Sequence, residues 1–334
     1  MHKIDYKRFL IKIMQKKIFI IGGAGYIGSH MVKAASLANY EVITIDNLST
    51  GHKDAVLCGE LEECDIRNKS QLDLLFKKYK PEAVLHFGAY SIVSESLKEP
   101  HKYYDNNVNG TLTLLEVMLE NNCQNIIFSS TAAVFGNPEY LPIDEAHSKK
   151  PINPYGQSKL MVESMLKDFS EAYQLSYIIF RYFNAVGHNK KSGLRERHEP
   201  ETHLFPIIMQ VIQGDRENLT IYGTDYDTYD GTCIRDYIHV EDLCLAHLKG
   251  LEALINKGNS IISDDYNLGN GEGFSVKEVV TEFKKVTKAK FDVEYGERRD
   301  GDPSALIASN EKASRELNFT PTKSGLSEII NSLI

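Results

Sequence analysis

The sequence has no tryptophan, no Cys-x-x-Cys pair and no excess of basic residues. It also lacks any apolar run near the ~18 residues that cross a bilayer. Each absence excludes something. The five cysteines (Cys58, Cys64, Cys123, Cys233 and Cys244) are odd in number and scattered. That pattern reads as reduced thiols of a cytoplasmic protein, not as a disulfide framework or a cysteine-zinc site, and no metal is expected. Acidic residues outnumber basic ones, 46 to 38, for a formal net charge of −8. A nucleic-acid partner normally calls for the opposite balance; a small anion can still be held by backbone amides and one or two arginines. With no long apolar run, no membrane partner is expected. What is present is ordinary globular usage, 42% hydrophobic and 25% charged, without repeats or low-complexity tracts. At roughly 150 residues per domain, 334 residues make one large domain or two unequal ones. The first seventeen residues, MHKIDYKRFLIKIMQKK, carry six Lys/Arg and one acid. Their apolar stretches, broken by Lys12, are too short for a secretory core. Residues 1–14 therefore read as a loose arm ahead of Met14, or the product of an upstream start codon.

From Lys17 the pattern becomes regular. KIFII is a buried strand, GGAGYIG a glycine turn, SHMVKAASLA a helix, and EVITID a second strand ending in Asp46. A strand near Leu61, helix 69–79, strand 83–87, a long helix from about 101 to 120, strand 125–129, helix 155–173 and strand 177–182 follow. Strands alternating with helices give a parallel sheet covered on both faces, joined by right-handed crossovers. After Asn184 the rhythm breaks. Segments TIY, DYIHV, DYNLG and FDVEY alternate with helices near 241–255, 275–287 and 325–333. The expected division is 15–186 as a nucleotide-binding domain and 187–334 as mainly a smaller α/β substrate domain. The segment around 233–258, with DYIHV, is expected to return to the first.

Gly22, Gly25 and Gly28 lie between the first strand and the first helix. Without side chains the backbone can turn tightly and approach a pyrophosphate, which rests on the helix's free N–H groups. Asp46 ends the next strand about 20 residues on, where a carboxylate accepts the adenosine ribose hydroxyls and repels a 2′-phosphate. Alone, Asp46 is equally a turn cap in DNLSTG. Together the two features point to a dinucleotide, NAD rather than NADP.

NPYGQSKLMVESM contains a Tyr-x-x-x-Lys, Tyr155 and Lys159, which a helix places on one face a turn apart. A tyrosine base near neutrality needs its pKa lowered by about three units, or roughly 4 kcal/mol. One cation about 4 Å away supplies about 4 kcal/mol at an effective dielectric near 20. Lys159 and a positively charged nicotinamide are two such cations. Thr131, in FSSTAAVFG, can hydrogen-bond the reacting oxygen; without the Tyr–Lys pair it reads as a strand-end cap.

These segments, with YYDNNVNGT, RYFNAVG, DGTCIRDYIHVEDL, YNLGNGEGFSV and RRDGDP in the same order, resemble the NAD-dependent nucleotide-sugar epimerases of the extended short-chain dehydrogenase/reductase family from about Lys17 to the C-terminus. The resemblance implies a Rossmann-type doubly wound sheet, a homodimer pairing helices 101–120 and 155–173, and reversible C4 epimerisation of UDP-glucose and UDP-galactose through a 4-keto sugar. It implies Tyr155 as base, Lys159 as its electrostatic partner and Thr131 as substrate donor. Around the cofactor it places Gly22, Gly25, Tyr26, Ile27, Gly28, Asp46, Asn47, Asp65, Ile66, Phe87, Asn106 and Phe183, with Tyr155 and Lys159. Around the UDP-sugar it places Thr131, Tyr155, Asn184, His203, Leu204, Tyr222, Arg235, Tyr237, Arg299, Asp302 and Leu306. Arg235 and Arg299 would grip the diphosphate, Asp302 the uridine ribose, and Leu204 and Tyr222 the uracil. Two positions depart from some members of the family: Ser91 stands where they carry a lysine against the cofactor, and His203 where they carry an asparagine near the uridine diphosphate. Related dehydratases carry Asp-Glu after the threonine, where this chain has Ala132 and Ala133; methyl groups transfer no protons. Leu306 stands where a tyrosine excludes a 2-acetamido group and a small residue admits it. Epimerisation of UDP-N-acetylglucosamine or UDP-pentoses therefore stays open beside the hexose reaction. A non-catalytic NAD-binding regulator also stays open, although it would not need the Tyr–Lys pair.

Overall fold

A computed structural model describes residues 15–299 and 302–334; the expectation for residues 1–14 lies outside them. In chain order the elements begin with β1 (Lys17–Ile21), α1 (Tyr26–Leu37), β2 (Glu41–Asp46), β3 (Glu60–Glu63), α2 (Lys69–Tyr79) and β4 (Ala83–His86). Next come α3 (Val93–Lys98), α4 (Pro100–Tyr103), α5 (Gly110–Glu120), β5 (Asn125–Thr131), α6 (Pro154–Tyr173), β6 (Ser176–Tyr182) and β7 (Asn184–Val186). The remainder comprises α7 (Leu204–Gln213), β8 (Leu219–Tyr222), β9 (Ile234–His239), α8 (Val240–Asn256), β10 (Ser263–Leu268), β11 (Gly273–Ser275), α9 (Val276–Thr287), β12 (Val293–Gly296), β13 (Ala305–Leu306), α10 (Glu311–Leu317) and α11 (Leu326–Leu333).

Seven strands form one sheet in the order β10-β6-β5-β4-β1-β2-β3, and every pairing in it is parallel. The central strands are buried on both faces, which is why KIFII and AVLH read as unbroken apolar runs instead of alternating. One face is covered by apolar side chains of α2, α5 and α6, among them Leu72, Leu115 and Leu166. The other is covered by α1 and α8, through Met31, Val32, Leu243 and Leu251. The sheet is thus doubly wound, as expected, and the strand order reverses between β1 and β4. Ligands of such sheets bind in the crevice opened at that reversal.

A second core gathers Phe205, Ile208, Ile221, Tyr237, Val280, Phe283 and Ile330 from α7, β8, β9, α9 and α11. It lies beside a small sheet in which β9 pairs with β11, β13 and β7, and a parallel pair of β8 and β12.

Three sequence expectations change. DYIHV does not rejoin the main sheet: as β9 it is the hub of the small one, where buried Asp236 accepts the backbone N–H groups of Asn270, Gly271 and Ala308. DYNLG, expected in the smaller unit, is β10 and closes the β6 edge of the main sheet. Its acids disguised it. Asp265 accepts from Arg181 and Asp264 from Lys312, so a strand that looks polar is satisfied inside the fold. The long helix from 101 to 120 is interrupted by a π-helical segment at Tyr104–Asn109.

Candidate active site

The glycine turn is held by close backbone contact. Gly22 has φ +75°, and a β-carbon there would lie 2.6 Å from the Gly88 nitrogen; one on Gly28 would lie 2.1 Å from the Gly22 carbonyl oxygen. Gly25 differs. Its backbone is extended (φ −79°), and an added β-carbon would meet only the Gly22 oxygen, at an ordinary 3.4 Å. Nothing among the described residues demands glycine there, so the space above Gly25 suits a group that these residues do not supply. Asp46 Oδ2 accepts from Ala24 N–H (2.9 Å) and Oδ1 from Leu48 N–H (2.8 Å). The cap in DNLSTG is therefore real, yet each oxygen retains a lone pair, and Asp46 borders the crevice. Burial pushes this carboxyl's pKa up, opposed by those two amides.

The π-segment carries Asn106 into the same crevice wall, with the buried Asn107 beside it. Asn106 Nδ2 donates to Asn107 Oδ1 (3.0 Å), while Asn107 clasps both backbone groups of Tyr90 (3.0 and 3.0 Å) and donates to Ser158 Oγ (3.1 Å). π-bulges recur at functional sites because they re-aim side chains without ending a helix. Sequence reasoning found Asn106 and missed Asn107; the signal was a run of weak helix formers, DNNVN, inside a helical pattern.

Helix α6 begins at an Asn153 cap, whose Oδ1 accepts Gly156 N–H (2.9 Å), with Pro154 in its first turn. This start, directly after the β5 loop, sets Tyr155 and Lys159 against the strand end. Lys159 is buried; its Nζ donates to Ser129 O (2.7 Å) and lies 4.8 Å over the Phe128 ring. Burial drives its pKa down to about 7, with Glu163 one turn on pulling it back. Tyr155 is pushed up by burial, with the Thr131 hydroxyl pulling it back. The chain alone therefore does not ionise Tyr155, and Lys159 is bonded to the strand rather than to the phenol. Thr131 Oγ1 accepts Ala133 N–H (3.1 Å), so it also caps the turn at Ala132–Val134. Beneath, Glu163 takes Arg181 Nε and Nη2 (both 2.9 Å) and Ser130 Oγ (2.5 Å), fixing α6 to β5 and β6. Tyr182 donates to His247 Nε2 (2.5 Å), whose other nitrogen meets Leu243 O (2.8 Å). Burial holds that imidazole neutral, at about 4. Neither the Glu163–Arg181 nor the Tyr182–His247 pair was singled out from the sequence.

One cleft of about 1460 Å³ runs from the glycine turn past Tyr155 to the second core. Of the residues singled out from the sequence, all but Asp65 border it. Asp65 is turned away: Arg67 grips it with two nitrogens (2.9 and 2.7 Å) and Asn47 with a third (2.9 Å), which holds its carboxyl well below the usual range. At the far end Arg235 pairs with Asp302 and Arg299 lies 4.3 Å over the half-exposed Tyr222 ring. Asn184 Nδ2 donates to Asp236 O (2.8 Å), His203 Nδ1 meets Glu201 (2.9 Å), and Leu306 packs with Phe183 on the Ala132–Phe135 turn. Tyr237, with its phenol pushed up by burial, and Leu204 line the same end.

Residues 18–269 match the model of the NAD dependent epimerase/dehydratase family. The chain belongs to this family. It is 47% identical over 94% of its length to a UDP-glucose 4-epimerase of Halalkalibacterium halodurans, covering 93% of that protein. It superposes on the UDP-glucose 4-epimerase of Brucella ovis, solved in complex with NAD, with a TM-score of 0.91 and 44% identity, over 95% of this chain and 97% of that one. The UDP-Glc/GlcNAc 4-epimerase of Campylobacter jejuni is similar at a TM-score of 0.82 and 41% identity, over 95% and 97%. NAD fits the near end of the cleft on three counts: the unfilled space at Gly25, the free lone pairs of Asp46, and Asn106 on the facing wall. Among the described residues no helix is long and apolar enough to cross a membrane.

Proposed function

We propose that this chain interconverts UDP-glucose and UDP-galactose by NAD-dependent epimerisation at C4, through a 4-keto sugar. The observation that carries it is the meeting of Tyr155, Lys159 and Thr131 midway along a cleft, between a dinucleotide cradle and an arginine-lined end. When bound, NAD supplies the acceptor for the C4 hydride and a positive ring charge that draws the buried Tyr155 toward its phenolate. Tyr155 then removes the proton from the sugar 4-hydroxyl and returns it after the sugar has presented its other face. Thr131 donates to the reacting oxygen. In its protonated form, which Glu163 favours against the effect of burial, Lys159 offsets the phenolate charge, and its bond to Ser129 sets its direction.

Ala132 and Ala133 supply no acid or base for removing the C5 proton, so these two positions give elimination of water no machinery. Arg235 and Arg299 hold the diphosphate with planar donor forks, which requires Arg235 to share or exchange Asp302. Asp302 accepts the uridine ribose, Leu204 and Tyr222 flank the uracil, and Asn184, His203, Tyr237 and Leu306 shape the sugar end. Residues 15–186 carry the cofactor and 187–334 mainly the sugar nucleotide, with α8 and β10 completing the first unit. A cytoplasmic setting is supported by five free cysteines, four of them buried. A homodimer through α5 and α6 is supported by exposed apolar Leu112, Met161 and Tyr173 on those helices. Tyr155→Phe tests the reading: turnover of UDP-galactose falls at least about a hundredfold while NAD stays bound. Undiminished turnover would remove Tyr155 as the base.

A further inference from the structure

Between β7 and α7 the chain reads RERHEPETHL, and four of its side chains converge. One ligand-capable atom each of Glu196, His198, Glu201 and His203 lies within 4.8 Å of the others. His203 Nδ1 is 3.0 Å from Glu196 Oε1 and 2.9 Å from Glu201 Oε1, and His198 Nδ1 is 3.0 Å from Glu196 Oε1. The carboxylates are nearly sealed from solvent, their side chains 6% and 5% exposed. Among the described residues no lysine or arginine forms an ion pair with either. Two buried carboxylates whose only ionisable partners among the described residues are imidazoles are short of positive charge, and burying charge without a partner is costly.

A second observation is independent of the charges. Among the described residues His198 Nδ1 is buried and makes no hydrogen bond, although Glu196 Oε1 is at hydrogen-bond distance. The ring nitrogen is therefore not aimed at the carboxylate. Glu201 is fixed from behind by the N–H groups of Thr202 and His203 (2.9 Å each), both on Oε1, which leaves Oε2 uncommitted.

We propose that Glu196, His198, Glu201 and His203 form a binding site for one divalent transition-metal ion, zinc by its ligand chemistry. Two imidazoles and two carboxylates make a tetrahedral N₂O₂ set of the kind zinc accepts at about 2.0–2.2 Å. Calcium and magnesium favour oxygen-only shells. The present spacings bracket those of a tetrahedral shell, so small side-chain rotations close it. This reverses the sequence expectation of no metal, which rested on the cysteines. It stands on the ligand set alone and does not depend on the proposed reaction. The ion's role follows from its place. Both carboxylates act on the Tyr26 phenol beside the glycine turn, and His203 is the residue before α7, whose first residue is Leu204. A cation here ties the cofactor end of the cleft to the wall of the sugar-nucleotide end. It also cancels two negative charges facing a cleft that admits a dianionic diphosphate.

The test uses the full-length, NAD-bearing protein, stripped with chelator and reloaded with zinc sulfate alone, then desalted and analysed for metal. One zinc per chain is expected, no retained magnesium under the same treatment, and a tetrahedral visible spectrum when cobalt(II) replaces zinc. Zinc should slow tryptic cleavage after Arg195 and Arg197 about tenfold, because a bound ion suppresses the local opening that cleavage needs. His198→Gln and Glu201→Gln should each lose the metal and the protection. His198 makes no hydrogen bond to lose, so that variant carries the test if Glu201→Gln fails to fold. Wild-type protein that retains no zinc, retains magnesium equally, or keeps zinc in His198→Gln would overturn the proposal.

Discussion

Burial pushes the Lys159 ammonium down to about 7, below the usual lysine value of about 10.4, so its charge and the stability of the fold are linked. Between those values the unfolded chain binds a proton that the folded chain does not. The contribution of Lys159 is therefore least favourable below about pH 7 and recovers as pH rises toward about 10. Lys159→Met in coenzyme-free protein should raise stability by roughly 2–4 kcal/mol near pH 6, even after losing the bond to Ser129. The gain should shrink steadily toward pH 10, as followed by urea denaturation across pH. Turnover should collapse in the same variant, because nothing then offsets the Tyr155 phenolate. A flat difference across pH would show that Lys159 keeps its ordinary ionisation when buried. The pairing of Tyr155 and Lys159 was legible in the sequence as a helical spacing. Their desolvation was not, because spacing says nothing of what closes over a helix face. Asp65 shows the opposite limit: an acid in a suggestive position is claimed by Arg67, two residues away and invisible to motif logic.

At the scale of elements, the β1–α1 turn separates two uses of glycine. Gly25→Ala fits the backbone and should cost less than about 1 kcal/mol of coenzyme-free stability. The new methyl fills the cradle, so NAD retained through purification should drop sharply. Gly28→Ala drives a methyl into the Gly22 carbonyl and should lower both the melting temperature and NAD content. Loss of stability in Gly25→Ala with full NAD content would contradict the cradle. Arg181→Met leaves Glu163 buried without its main partner and should destabilise by roughly 3–5 kcal/mol, read from the shift of the urea midpoint. Most elements were readable because parallel strands here are continuous apolar runs and the surface helices are periodic. The π-segment was not, since its residues keep helical periodicity on both sides of a local slip. Strand β10 was not, because its two acids are neutralised by Arg181 and Lys312, far away in sequence.

The molecule as a whole joins two units whose residues share one cleft. The first unit could be read as a repeating rhythm. The second could not, since β9 exchanges partners along its length and the small sheet draws strands from residues 184 to 306. A dimer through α5 and α6 predicts that Met161→Glu yields monomers by light scattering while the wild type does not. In the proposed reaction a coenzyme held by the protein lets Tyr155 invert one carbinol carbon without net oxidation. The most direct test is incubation of the purified protein with UDP-galactose and no added coenzyme. The chain lacks tryptophan, so any reduced nicotinamide trapped in the protein can be followed by its fluorescence without indole interference. Conversion to an equilibrium mixture with UDP-glucose is expected, with no net change in the bound coenzyme. Protein that retains NAD yet leaves UDP-galactose unchanged would contradict it.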